Sequence, residues 1–298
     1  MVSDRPIVIA KSLWNRTIPF KETKADLHSI FDSCINLTLM DNDKTLFTIL
    51  HPSRSLVPFG IQLPTNDQFS KIQTEYKSIW ISRELLRTKE IYFDLNDSIK
   101  KDLKIKPVHN LTYDSLRDLR LALMTYKETS IKSQAGKYNF MKQLDSWIRR
   151  ENLKNQHDIV FDLSQFEPFT KILSSKLLIQ RFCTDLIGWG EGGTPAGDDF
   201  LLGCLATCWI IPDIESSLRR FYQTLYELLQ ENQTTLISQQ YLKYALQGEF
   251  AEPINTLFSC LANNLRIEKT LLDQLFYGFS SGEDFLWGLI WTFKQLVK

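Results

Sequence analysis

Along the first third of the chain, apolar and polar residues alternate in short runs. Residues 35–50, INLTLMDNDKTLFTIL, form two strand-like runs around an Asn-Asp turn signal and predict a hairpin. PFGIQLP, residues 58–64, predicts a short strand between prolines. Residues 78–95, SIWISRELLRTKEIYFDL, hold two more alternating runs with a turn near Thr88 and Lys89. Residues 1–105 are therefore expected to form a β-rich domain, barrel-like or sandwich-like. Past Pro107 the spacing becomes helical. Residues 115–126 place Leu116, Leu119, Leu121 and Leu123 on one apolar stripe, with Asp114 or Ser115 as the N-cap. Helices are also expected over residues 137–152, 168–188, 215–231, 234–247, 253–264 and 269–278, and from Ser281 onward. The fold class predicted is α+β. A β-rich N-terminal domain precedes an all-helical domain, residues 106–298, with two buried central helices.

The first central helix follows GWGEGGTPAGDDFLLG, residues 188–203. Pro195 suits a first helical turn, which leaves Thr194 as the N-cap. The run FLLGCLATCWII that follows is apolar on every side but Thr207, so this helix is buried and its start faces the interior or a cleft. Free N–H groups there need partners, and a bound anion would supply them. Gly188, Gly190, Gly192 and Gly193 would let the backbone approach a ligand closely. No Lys-Ser or Lys-Thr follows, so this is not a P-loop, and no strand clearly precedes it as a dinucleotide fingerprint requires. Asp198 and Asp199 either answer the helix dipole, or accept from a ligand's N–H groups or hold magnesium beside a phosphate.

GFSSGEDFLWGLIW, residues 278–291, repeats the pattern. SGEDFLWG matches AGDDFLLG in register, with Gly282 repeating Gly197 after 85 residues. Ser280 or Ser281 is the expected cap. Asp199 and Gly203, like Asp284 and Gly288, stand four apart on one helix face. The two helices are expected to pack with their starts adjacent around one pocket. Asp199 and Asp284 are the catalytic candidates. Gly190, Gly192, Gly193, Thr194, Gly197, Asp198, Ser280, Ser281 and Gly282 are the anion- or substrate-binding candidates. Thr235 and Ser238 share a helix face and could line the same pocket; alternatively, Thr234 simply caps its helix. Arg54, in HPSRSLVPFG, is the candidate cation, and neighbouring His51 could contribute.

Charge and cysteine content narrow the classes. With 35 basic and 35 acidic residues, the 298-residue chain has no net charge to draw it to nucleic acid or a membrane. The basic run over residues 100–106 reads as a solvated turn. The five cysteines are scattered, and Cys204 and Cys208 read as small buried side chains rather than a metal pair. The apolar run over residues 200–211 is too short to span a bilayer, and the first residues lack a signal-peptide core. A cytoplasmic protein is expected.

The glycine stretch resembles the G-x-G-P-G-L-T-P-S-G-D-D signature of the DUF2877 family, which includes the AllH-type subunit of bacterial oxamate carbamoyltransferase. NQTTLISQQYLKYALQGE, residues 232–249, is similar to the family's Thr-Thr-x-x-Ser helix ending in Gly-Glu, and GFSSGEDFLWG to its C-terminal segment. Glu191, Gly193 and Ala196 depart from the signature, where proline, leucine and serine are usual. The resemblance implies carbamoyl transfer between carbamoyl phosphate and oxamate, in a complex with other subunits. The expected partners are a small anionic metabolite and those subunits. No cofactor is assigned, with magnesium the candidate. The competing reading is a non-catalytic subunit that binds an anion or nucleotide. A third is a helical assembly module whose glycines serve packing alone.

Overall fold

A computed structural model describes residues 6–40, 45–75, 79–108, 119, 121–122, 167–211, 215–231, 233–263, 265–275 and 281–296. The helix expected over residues 137–152 and most of that over 115–126 lie outside them, as do the Asn-Asp turn and Ser280. The chain divides into two compact units. One is Met1–Lys104 with Glu249–Glu252; the other is Ile105–Gly248 with Pro253–Lys298.

The first unit is built on one sheet, a half-barrel of nine strands among the described residues. In chain order they are β1 (Val8–Ala10), β2 (Thr23–Phe31), β3 (Cys34–Leu39), β4 (Leu46–Leu50), β5 (Gly60–Gln62), β6 (Ile79–Ile81), β7 (Leu85–Arg87), β8 (Tyr92–Asp94) and β9 (Ile99–Lys101). Their spatial order is β8-β7-β6-β2-β3-β4-β5-β1-β9. The β4–β5 and β1–β9 pairs are parallel and the others antiparallel. Both edge strands have three residues, which limits the unpaired backbone they expose.

Residues 78–95 give three strands rather than two alternating runs, because Ser82 and Thr88 each turn the chain. The Ser82 hydroxyl accepts from the N–H groups of Glu84 and Leu85, and the Thr88 hydroxyl from those of Glu90 and Ile91. The basic run begins in β9 rather than in a solvated turn, and Lys101 pairs with Glu252. Two helices not anticipated within this region are α1 (Lys11–Arg16) and α2 (Asn66–Glu75). Leu13 of α1 and Phe69 and Ile72 of α2 are buried, each short helix contributing an apolar face. The four-residue segment Glu249–Glu252 is held by Arg16 on Glu249, by Lys101 on Glu252, and by backbone bonds from Phe250 to Leu103 and from Glu252 to Leu56.

The second unit contains α3 (Phe169–Leu173), α4 (Lys176–Leu186), α5 (Ala196–Ile210), α6 (Glu215–Leu229), α7 (Leu236–Ala245), α8 (Glu252–Ala262), α9 (Lys269–Leu275) and α10 (Ser281–Leu296). Residues 168–188 form two helices, not one. Ser174 stays helical but Ser175 turns to extended backbone (φ −137°), where serine competes poorly for a helix interior. An aromatic cluster of Phe169, Phe182, Phe221, Phe200 and Trp291 fills the space between α3, α4, α5, α6 and α10.

The centre of this unit is the pair α5 and α10. They run in the same direction and touch backbone to backbone. A Cβ at Gly203 would strike the Phe285 carbonyl and lie 2.6 Å from Leu289 N. A Cβ at Gly288 would strike the Phe200 carbonyl, with its carbon at 2.8 Å. The two contacts are reciprocal, since Phe200 and Phe285 are equivalent in the repeat, as are Gly203 and Gly288. Fully buried Thr207 and Thr292 extend the equivalence. Thr207 donates to its own helix at Gly203 O and across to Leu289 O, both at 3.1 Å.

Gly203→Ala or Gly288→Ala is expected to destabilise the protein by about 3 kcal/mol or more, since the obstructing atoms are backbone and cannot yield. Gly193→Ala, whose Cβ would meet only Ile237 Cδ1 at 4.0 Å, is expected to stay within about 0.5 kcal/mol. Urea unfolding of the three variants checks this.

Candidate functional site

The crossing at Gly203 and Gly288 leaves the first turns of α5 and α10 side by side. The Thr194 and Ser281 hydroxyls are hydrogen-bonded at 2.6 Å, so the two starts adjoin. Thr194 is not the N-cap: Pro195 occupies that position with extended backbone (ψ 145°), and no side chain caps α5. Proline has no N–H to satisfy and so serves one step earlier than expected, which frees the Thr194 hydroxyl for α10. Ser281 is the first helical residue of α10.

The loop before α5 is shaped by left-handed glycines. Gly188, Gly190 and Gly192 have φ of 71°, 110° and 100°, a region other residues occupy at a cost. The loop folds back so that Trp189 O accepts from Gly197 N at 2.9 Å. Asp198 N and Asp199 N both bond to Pro195 O. These three N–H groups of the first turn are therefore taken up by the chain itself. Residues 190–193 are exposed, and a Cβ at Gly192 would have nothing within 4 Å. Gly197 packs on Leu186 and Trp189, and Gly282 is buried at the start of α10.

The adjacent aspartates face different surroundings. Asp198 is turned toward the loop and α7. Its Oδ1 accepts from Gly188 N at 3.0 Å and its Oδ2 from the Thr234 hydroxyl. Burial pushes its carboxyl up, while Thr234, Gly188 N and Ser238 favour the charged form. Asp199, 6% exposed, is turned toward α10. Burial raises its carboxyl well above the usual range, and the charge of Asp284 raises it further; the Ser281 and Thr194 hydroxyls work the other way. Asp199 Oδ2 is buried without a hydrogen-bond partner. Asp284 is 9% exposed. Beside it, Glu283 is half-buried and pushed up to about 7 by burial. Sequence reasoning missed Glu283, although it aligns with Asp198 in the repeat.

Thr235, not Thr234, is the N-cap of α7, accepting from Ser238 N at 3.1 Å. It also donates to Gly193 O at 2.6 Å. Ser238 is buried beside Asp198. Arg54 and His51 belong to the sheet unit, on the connection from β4 to β5. His51 Nδ1 accepts from Ser53 N, and its ring meets Phe69 edge-on. Arg54 N bonds to His51 O, and the Arg54 charge acts on Cys34. Cys204 and Cys208 are buried, and burial pushes the Cys204 thiol up to about 12. Among the described residues, no three His, Cys, Asp or Glu side chains gather as metal ligands. None of the described helices is long and apolar enough to cross a membrane.

Residues 186–293 match the family described as oxamate carbamoyltransferase subunit AllH, and residues 7–101 match the AllH family N-terminal domain. The chain belongs to the AllH family. The larger match takes in the glycine loop, α5, α7 and most of α10. The N-terminal match falls within the sheet unit. No solved structure matches the chain.

The raised carboxyls set the sign of a pH effect. Asp198, Asp199 and Glu283 hold protons more tightly folded than unfolded. Their share of stability is complete below about pH 4 and falls as pH rises through the folded values, by up to ~1.4 kcal/mol per pH unit per group. Asp199→Asn, which mimics the protonated form, is expected to be more stable than wild type at pH 8 and to lose that advantage near pH 4. Thermal unfolding across this range checks it.

Proposed function

We propose that this chain is a carbamoyltransferase subunit that binds carbamoyl phosphate and a small acceptor such as oxamate at the paired starts of α5 and α10. The meeting of Asp199 and Asp284 beside an exposed glycine loop supports the reading. In the reaction, the acceptor nitrogen attacks the carbamoyl carbon and the carbon–oxygen bond to phosphate breaks. Phosphate leaves with the electron pair and takes up the proton that the nitrogen loses. Asp199 keeps its proton and donates to a developing oxyanion, as an acid held neutral by its surroundings can. Asp284 accepts from an N–H of the carbamoyl group or of the acceptor. The phosphate takes its donors from N–H groups of residues 192–194 and from one of the Thr194 and Ser281 hydroxyls, the other donating in the bond they share, because Gly197, Asp198 and Asp199 already spend theirs within the chain. Transfer then rests on positioning and charge stabilisation, without a covalent intermediate.

A second reading is a non-catalytic subunit that holds an anionic metabolite or nucleotide while a partner chain does the chemistry. Ala196 favours it, since a methyl group stands where the repeat has the Ser281 hydroxyl.

Carbamoyl phosphate is expected to raise the melting temperature of the purified chain, and wild-type protein in the assembled complex to release phosphate only with an acceptor present. Asp199→Ala, which removes the donor, and Asp284→Asn, which removes the acceptor charge, should each lower that rate about 100-fold or more. Ligand binding with unchanged turnover in both variants would favour the non-catalytic reading. Absence of any ligand shift would count against both.

A further inference from the structure

The turn that starts α7 reaches the glycine loop at both ends. Gly188 sits so close to the Gln233 carbonyl that a Cβ there would strike it. Thr234 donates to Asp198 Oδ2, and Asp198 Oδ1 receives Gly188 N. Thr235 donates to Gly193 O while its oxygen accepts from Ser238 N. Between these anchors residues 190–193 are exposed, and Gly192 has no neighbour for a Cβ. The loop contains three left-handed glycines and would otherwise sample many conformations. Two adjacent hydroxyls and one carboxylate tie it down at these points.

We propose that Thr234, Thr235 and Asp198 form a latch that positions the glycine loop for ligand binding, and that none of the three touches the ligand. The Thr235 hydroxyl is already committed as donor and acceptor, and both Asp198 oxygens are occupied. These residues are thereby reassigned from ligand contact to positioning, which leaves Thr194, Ser281, Asp199 and Asp284 on the ligand side. The claim rests on the proposed site only for the identity of the ligand. The latch acts on the loop whether or not carbamoyl phosphate is what the loop receives. A pre-ordered loop binds more tightly because less conformational freedom is lost on binding.

The test uses the full chain with Thr234→Val and Thr235→Val, each beside its serine counterpart. Amide hydrogen exchange is followed over residues 190–194, and carbamoyl phosphate affinity is measured by calorimetry. Each valine variant is expected to speed loop exchange about tenfold, the loss of one hydrogen bond's net contribution. It should weaken carbamoyl phosphate binding by a similar factor and leave exchange in α5 and α10 unchanged. Each serine variant should restore both. Thr234→Val keeps the α7 cap intact, so it separates the latch from damage to that helix. Unchanged loop exchange in both valine variants overturns the proposal, as does failure of serine to rescue. Wild-type protein that ignores carbamoyl phosphate would overturn the ligand assignment instead, and loop exchange would still decide the latch.

Discussion

The contact between Gly203 of α5 and the Phe285 carbonyl of α10, with its mirror at Gly288 and Phe200, is the constraint on which the rest of the helical unit depends. Only glycine lets two helix backbones meet at this distance, and the meeting brings each Cα–H against a carbonyl oxygen. Because the helices are parallel, it also places two positive helix ends together. Four acids answer them in the two first turns: Asp198, Asp199, Glu283 and Asp284. The close crossing and the acidic cluster are thus two consequences of one packing choice. Thr207 strengthens the choice by bonding across to Leu289 O.

Burial then works against the charge that the helix ends invite. Asp199 has little exposure and meets a second carboxylate, and both raise its carboxyl above the usual range against the pull of the Ser281 and Thr194 hydroxyls. Asp198, one residue earlier and about 100° around the helix, meets Gly188 N and Thr234 instead. One step of sequence separates an acid that ties a loop from an acid that faces the neighbouring helix. The Asp-Asp pair is therefore two sites with different partners, and a single role for both would misread the helix geometry.

Much of this could be read from residue order. The glycine-led repeat made the pairing of α5 and α10 an expectation, since two helices apolar on nearly every side have to be buried and small residues at matched positions permit contact. The repeat runs further than its opening suggests, because GCLAT and GLIWT end on equivalent threonines. What escaped the sequence had local causes. Strand β2 alternates cleanly only to Leu27, where a bulge before Ser29 shifts the register and hides the period. The Asp32 and Ser33 pair between Phe31 and Cys34 is the turn signal that could have recovered it. The threonine roles depend on tertiary neighbours: Thr194 looked like a cap, but its partner lies 87 residues away. Nothing local to Thr234 marks Asp198 as its acceptor.

The repeat is symmetric in its scaffold and asymmetric in the polar groups of its first turns. Gly203 and Gly288 do the same thing, as do Phe200 and Phe285. The first turns do not. Ala196 stands where the repeat has Ser281, and Asp198, with both oxygens occupied, has as its counterpart Glu283, which burial pushes up to about 7. A pair of identical first turns would offer one environment twice. Divergence at these positions gives the two sides of one junction different hydrogen-bonding capacity. On the proposed reading that asymmetry suits a group transfer, because its donor leaves with negative charge while its acceptor gives up a proton.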